Sequence, residues 1–128
     1  MTDDIVMPVV AAKRLLKSAN FEWIDKIVQT TAGLDNDDAK NQTTAVISEV
    51  ESEPYEDADN TFKNWTSVVE VQLFYAQNAD FNLMRAEVDL ARLFNNNDWQ
   101  VARSEGHDVD PDTNQVMKTF YFRRTFFV

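Results

Sequence analysis

No cysteine occurs among the 128 residues. That absence removes disulfide scaffolds, thiolate metal sites, cysteine nucleophiles and redox motifs together. A lone histidine, His107, leaves neither a Ser-His catalytic site nor a two-His metal site enough parts within one chain. Only 2 glycines and 3 prolines are present, which excludes collagen-like and linker-like polymers. With no glycine-rich loop there is no phosphate cradle, and no nucleophile elbow is found. Basic residues are also scarce: 12 Lys and Arg face 22 Asp and Glu, giving −10 at pH 7. Such a balance provides no overall footprint for nucleic acid, and anionic membrane surfaces repel it. No apolar run reaches the ~18 residues of a membrane-spanning helix. The first residues, Met1-Thr2-Asp3-Asp4, are acidic where a secretory signal is basic, so a soluble intracellular chain is expected.

What is present suffices for a core. Hydrophobic residues make up 44% and aromatic residues 12% of a length suited to a single domain, residues 1–128. A domain of this size buries about two-thirds of the surface its unfolded chain exposes.

Periodicity gives the elements. Pro8 suits the first turn of a helix, where its missing N–H has no partner to lose. Val9, Ala12 and Leu16 with Val10 and Leu15 form its apolar stripe, and Asn20 is a stop. Residues 21–29 allow two readings: Trp23, Ile24, Ile27 and Val28 fit a helix period, while the β-branched content fits a strand, and a strand or extended segment over 23–29 is favoured. Residues 30–42 read as a polar loop, 43–50 as a strand and 51–64 as a second acidic loop around Pro54. From Asp35 to Asn64 nine acids face two bases, a local balance of −7. Val69, Val71, Leu73 and Tyr75 alternate with Glu70 and Gln72, a strand over 66–76. Asp80 is the expected cap of a second helix, with Leu83, Met84, Val88, Leu90, Ala91 and Phe94 inward and Arg85, Glu87, Asp89 and Arg92 mostly outward. Asn95-Asn96-Asn97 supplies residues that tolerate a left-handed C-cap. Trp99 to Ser104 and residues 114–127 read as strands. The expected fold is therefore α+β in two layers, an antiparallel or mixed sheet with two main helices on one face.

The chemistry-bearing candidates are few. Asp108, Asp110, Asp112 and Asn114 match the 1, 3, 5, 7 spacing of an EF-hand, but Thr113 stands where glycine is needed and Thr119 where a bidentate Glu is needed. A turn in which Asp and Asn bond their own backbone is the simpler reading. The paired carboxylates, such as Asp37/Asp38 and Glu49/Glu51/Glu53, fall in acidic stretches where they are solvated rather than held in a pocket. No catalytic, cofactor-binding or metal-ligating residue is therefore assigned, and an enzyme is not expected. The unusual feature is Phe120-Tyr121-Phe122-Arg123-Arg124-Thr125-Phe126-Phe127-Val128, with five aromatics in nine residues. In a strand these rings point to both faces. One face meets the helices; the other is either more core or a surface for a second subunit. Phe120, Tyr121, Phe122, Arg123, Arg124, Phe126 and Phe127 are thus the candidate subunit interface.

Three stretches carry a family resemblance. They are Pro8-Val9 with Leu15-Leu16, then Val69-Glu70-Val71-Gln72-Leu73-Phe74-Tyr75, then Trp99 through His107 with Asp110-Pro111-Asp112-Thr113-Asn114-Gln115 and Phe120-Tyr121-Phe122-Arg123-Arg124. Across most of its length the chain resembles the tail-component family of siphophages and prophages, and is similar to tail terminators, also called tail completion or tail-to-head joining proteins. The resemblance implies a small α/β domain forming a hexameric ring on the tail tube, with a monomer left open for the isolated chain. Such a ring caps the tail tube, docks the head-completion protein, and has no enzymatic activity or cofactor. It places the chain in the host bacterial cytoplasm during assembly and in the virion tail afterwards. An acidic subunit would repel DNA passing through the ring, so Asp35, Asp37, Asp38, Glu53, Glu56, Asp57 and Asp59, or Asp108, Asp110 and Asp112, are expected to face the channel or the tube. The competing expectations are another head–tail completion protein and an acidic DNA-mimic inhibitor. A mimic needs its charges in a regular row, whereas these cluster in two loops.

Overall fold

A computed structural model of the chain describes residues 5–29, 39–58 and 61–128. Helix α1 (Pro8–Ala19) opens with Pro8 in its first turn and buries Pro8, Ala12 and Leu16. Asn20 ends it in the left-handed region at φ 52°, its N–H donating to the Lys17 carbonyl. An asparagine tolerates this conformation where most residues do not. Strand β1 (Lys26–Gln29) follows, and Asp25 accepts the Thr43 N–H at 2.8 Å beside it.

Strands β2 (Thr44–Ala58) and β3 (Thr61–Phe74) form one long antiparallel hairpin. This corrects the expected acidic loop over 51–64. Polar residues on both faces hide the alternation that marks a half-buried strand, because this part of the hairpin runs past the helices into solvent. Pro54 is accommodated because an edge strand has an unpaired side on which a donor can be missing. A bulge between Glu49 and Glu51 inserts Val50.

Helix α2 (Leu83–Asn95) is capped by Asn82, not Asp80: Asn82 Oδ1 accepts the Arg85 N–H at 3.0 Å. Its C-cap, Asn96, is right-handed, and the left-handed residue is Asp98, at φ 71°. Strands β4 (Gln100–Ser104), β5 (Asp108–Val109) and β6 (Val116–Phe127) complete the chain.

The sheet order is β1-β2-β3-β6-β4, with β5 beside β6. Among the described residues β1 pairs with β2 in parallel, and the other pairings are antiparallel. Both helices pack on one face, so the fold is α+β in two layers. Ala12 and Leu16 of α1 and Leu90 and Phe94 of α2 meet Ala45, Ile47, Val69, Val71, Leu73, Phe120 and Phe122 of the sheet.

Candidate subunit interface

The closing strand divides its aromatic residues between two environments. Phe120 and Phe122 point at the helices and are buried. The Phe122 ring stacks on Phe94 with centroids 4.1 Å apart and planes 5° apart, and Phe120 lies 5.5 Å from Phe122. These two rings belong to the protomer's own core, which corrects their place in the expected interface. They line up with Val71 and Val69 across the ladder, so the strand's pleat gives them to the helix layer.

Tyr121 faces the opposite side, half-buried, and donates its hydroxyl to Glu70 Oε2 at 2.9 Å. That bond raises its pKa, with desolvation adding to the effect. Arg123 is exposed. The Arg124 guanidinium lies 5.8 Å from the Trp99 ring centre and 5.1 Å from that of Phe126. It stacks within its own protomer, and both contacts are in cation–π range.

Phe126, Phe127 and Val128 reach the end of the sheet that the helices leave open. Phe127 is 79% exposed. There the chain entering α1 meets β2, β3 and β6 around an apolar groove of about 460 Å³, lined by Met7, Ser52, Phe62, Trp65, Phe126 and Val128 among others. Trp65 Nε1 donates to Ser52 Oγ at 2.9 Å, and Phe62 meets the Trp65 ring edge-on at 5.8 Å. Ile5, Met7, Tyr55 and Phe62 are also exposed at this end.

The acidic candidates separate as well. Asp35, Asp37, Asp38 and Asp59 lie outside the described residues. Glu53, Glu56 and Asp57 belong to β2, not to a loop. Asp108 starts β5 and accepts the Val109 N–H at 2.8 Å. Asp110 accepts from the Asp112 N–H at 3.1 Å and from Thr113 Oγ1 at 3.0 Å. Asp112 is exposed, and Asn114 takes φ 61°. The Asp110 carboxylate is thus engaged by its own turn, the arrangement expected of an Asx turn. Among the described residues no cluster of three or more His, Asp or Glu is placed to hold a metal ion.

One cluster escaped the sequence reading. Glu87 is buried on α2, where it was expected to point outward. Its Oε2 accepts the Tyr75 hydroxyl at 2.6 Å, and His107 Nε2 lies 2.6 Å from the same oxygen. The signal was present: Leu83, Glu87, Leu90 and Phe94 follow the 4, 3, 4 spacing of one helical face. Burial, followed by the bond to Glu87, pushes the Tyr75 hydroxyl well above its ordinary pKa. His107 also borders a polar cleft of about 440 Å³ with Gln72, Glu105, Asp108, Met117 and Thr119. The cluster ties α2, the end of β3 and the β4–β5 connection to one carboxylate.

One family matches residues 7–127, every helix and strand of the fold included. The chain belongs to the DUF806 family, described as proteins of unknown function. No curated protein matches its sequence. In this DUF806 chain the described residues form an apolar groove at one end of the sheet.

Proposed function

We propose that this chain is a phage tail component, a terminator that forms a ring on the finished tail tube and presents the surface on which the head docks. The observation that carries the reading is the apolar groove lined by Met7, Phe62, Trp65, Phe126 and Val128, on a subunit of charge −10. A contiguous apolar groove on a strongly charged subunit marks a site for a protein partner. The partner in this reading is the tail tube protein, which would cover Phe62, Trp65, Phe126 and Val128. The resemblance of the Val69–Tyr75, Asp110–Gln115 and Phe120–Arg124 stretches to tail terminators supports the same assignment. The role is one of building, not catalysis, performed in the host bacterial cytoplasm and retained in the virion tail.

The −10 charge of each copy disfavours DNA adhesion inside a ring. Screening confines this effect to about 8–10 Å at physiological salt, so it depends on the acids nearest the opening. The DNA-mimic alternative loses ground with the bulge at Val50. Glu49 lines up with Val69 and faces the helix side, while Glu51 and Glu53 line up with Val68 and Thr66 on the other, so the acids form no single row.

Electron microscopy of a lysate lacking the gene is the test. Unjoined heads beside tails of irregular length are expected; normal virions reject the reading. In the same system Asp37→Lys with Asp38→Lys should lower joining or DNA passage, read as infectious yield.

A further inference from the structure

The connection from β4 to β5 carries one residue more than the strand it lies against. On β6, Thr119 accepts the Glu105 N–H at 3.0 Å and Met117 pairs with Asp108. Gly106 and His107 together therefore oppose Lys118. Two residues against one make a β-bulge, which interrupts the ladder and re-aims a side chain. The side chain in question is His107, whose Nε2 lies 2.6 Å from Glu87 Oε2 on α2.

Both flanks of the bulge are anchored. Lys118, itself buried, donates through Nζ to Ser104 Oγ at 2.7 Å and to the Glu105 carbonyl. On the far side Asp108 and Val109 pair with Met117 and Val116. Between these anchors His107 ties the bulge to α2. Releasing that tie strands neither partner. The His107 side chain is already 44% exposed, and the Glu87 side chain, 5% exposed, keeps its bond from the Tyr75 hydroxyl. His107 borders the polar cleft, so water from that side can take the place of the imidazole.

The first residue of the bulge is Gly106. In one form of bulge the first residue is right-handed; in another it is a left-handed glycine. Gly106 stands outside the left-handed region, and a Cβ added to it would meet no atom of the described residues within 4 Å. This form of the bulge therefore accepts alanine, although one of only 2 glycines in the chain is placed there. The left-handed form is the one that needs glycine, because a Cβ disfavours that backbone.

We propose that the Gly106–His107 bulge is a two-state latch. With Gly106 as it stands, His107 closes on Glu87; with Gly106 left-handed, His107 turns away and opens the Tyr75–Glu87 pair to the polar cleft. The latch does not rest on the ring reading, and either can fail without the other.

Backbone nitrogen relaxation dispersion on the full chain tests it. Exchange on the μs–ms scale is expected at Gly106, His107 and Asp108. Gly106→Ala should leave the melting temperature no lower and reduce the released population by about fivefold or more. Gly106→Asn, which tolerates left-handed backbone, should retain the exchange. Glu87→Gln replaces the carboxylate with a neutral acceptor and should raise the released population by about threefold or more. If that variant does not fold, His107→Ala takes its place with the same expectation. Flat profiles in the wild type overturn the latch. So does exchange that Gly106→Ala leaves unchanged, or a released population that does not rise when the tie to Glu87 is weakened.

Discussion

Tyr75 donates its hydroxyl to Glu87 at 2.6 Å, joining the end of the central strand β3 to helix α2 inside the core. Removing the hydroxyl in Tyr75→Phe takes away a buried charge-assisted bond. A loss of about 1.5–3 kcal/mol is expected, read as a lower urea midpoint at unchanged m-value.

The same hydroxyl gives stability a pH dependence. Its pKa is raised in the folded protein, so above about pH 10, the ordinary tyrosine value, the unfolded chain has released a proton that the native chain still holds. The contribution is complete below that point and is lost as pH climbs beyond it. Tyr75→Phe should flatten the alkaline decline in stability relative to wild type, and an equally steep decline refutes the assignment.

Phe122 is fully buried and stacked on Phe94. Phe122→Ala should cost about 3–5 kcal/mol through lost burial and the cavity left behind. Thermal unfolding followed by circular dichroism measures it.

Asn82→Ala removes the side-chain cap of α2 and should cost about 1 kcal/mol. Asp80→Ala should leave the melting temperature nearly unchanged, which separates the observed cap from the expected one.

Phe62→Ser removes an exposed ring that lines the groove and should cost no more than about 1.5 kcal/mol, the worth of its edge-on contact with Trp65. In complementation of a deletion phage it should nonetheless cut the yield of joined particles at least tenfold. Full yield would remove the open end of the sheet from the proposed tube contact.

Where burial imprinted a period, the sequence was readable. Val69, Val71 and Leu73 alternate because only one face of β3 meets the helices, and Leu83, Leu90 and Phe94 repeat because α2 lies on that face. The outer hairpin was not readable, since strands solvated on both sides carry the polar composition of loops. Asp80 was a sound cap by residue type, but the choice between it and Asn82 depends on the turn entering the helix, which composition does not encode. Glu87 was misplaced because its charge outweighed its spacing; the partners that make its burial tolerable, Tyr75 and His107, are 12 and 20 residues away along the chain. The aromatic run was recognised as two-faced, while the division of Phe120 and Phe122 from Phe126 and Phe127 follows from how far the helices extend.

The position of β6 between β3 and β4 also governs how the protein is made. Residues 116–127 leave the ribosome after every strand they join, so the central hydrogen-bond ladders cannot close while those residues are still inside the exit tunnel. The native sheet therefore completes only once residues 116–127 have emerged. A nascent chain arrested before Val116 would expose Val69, Val71 and Phe94 to solvent, making stalled or prematurely terminated products targets for chaperones and proteases.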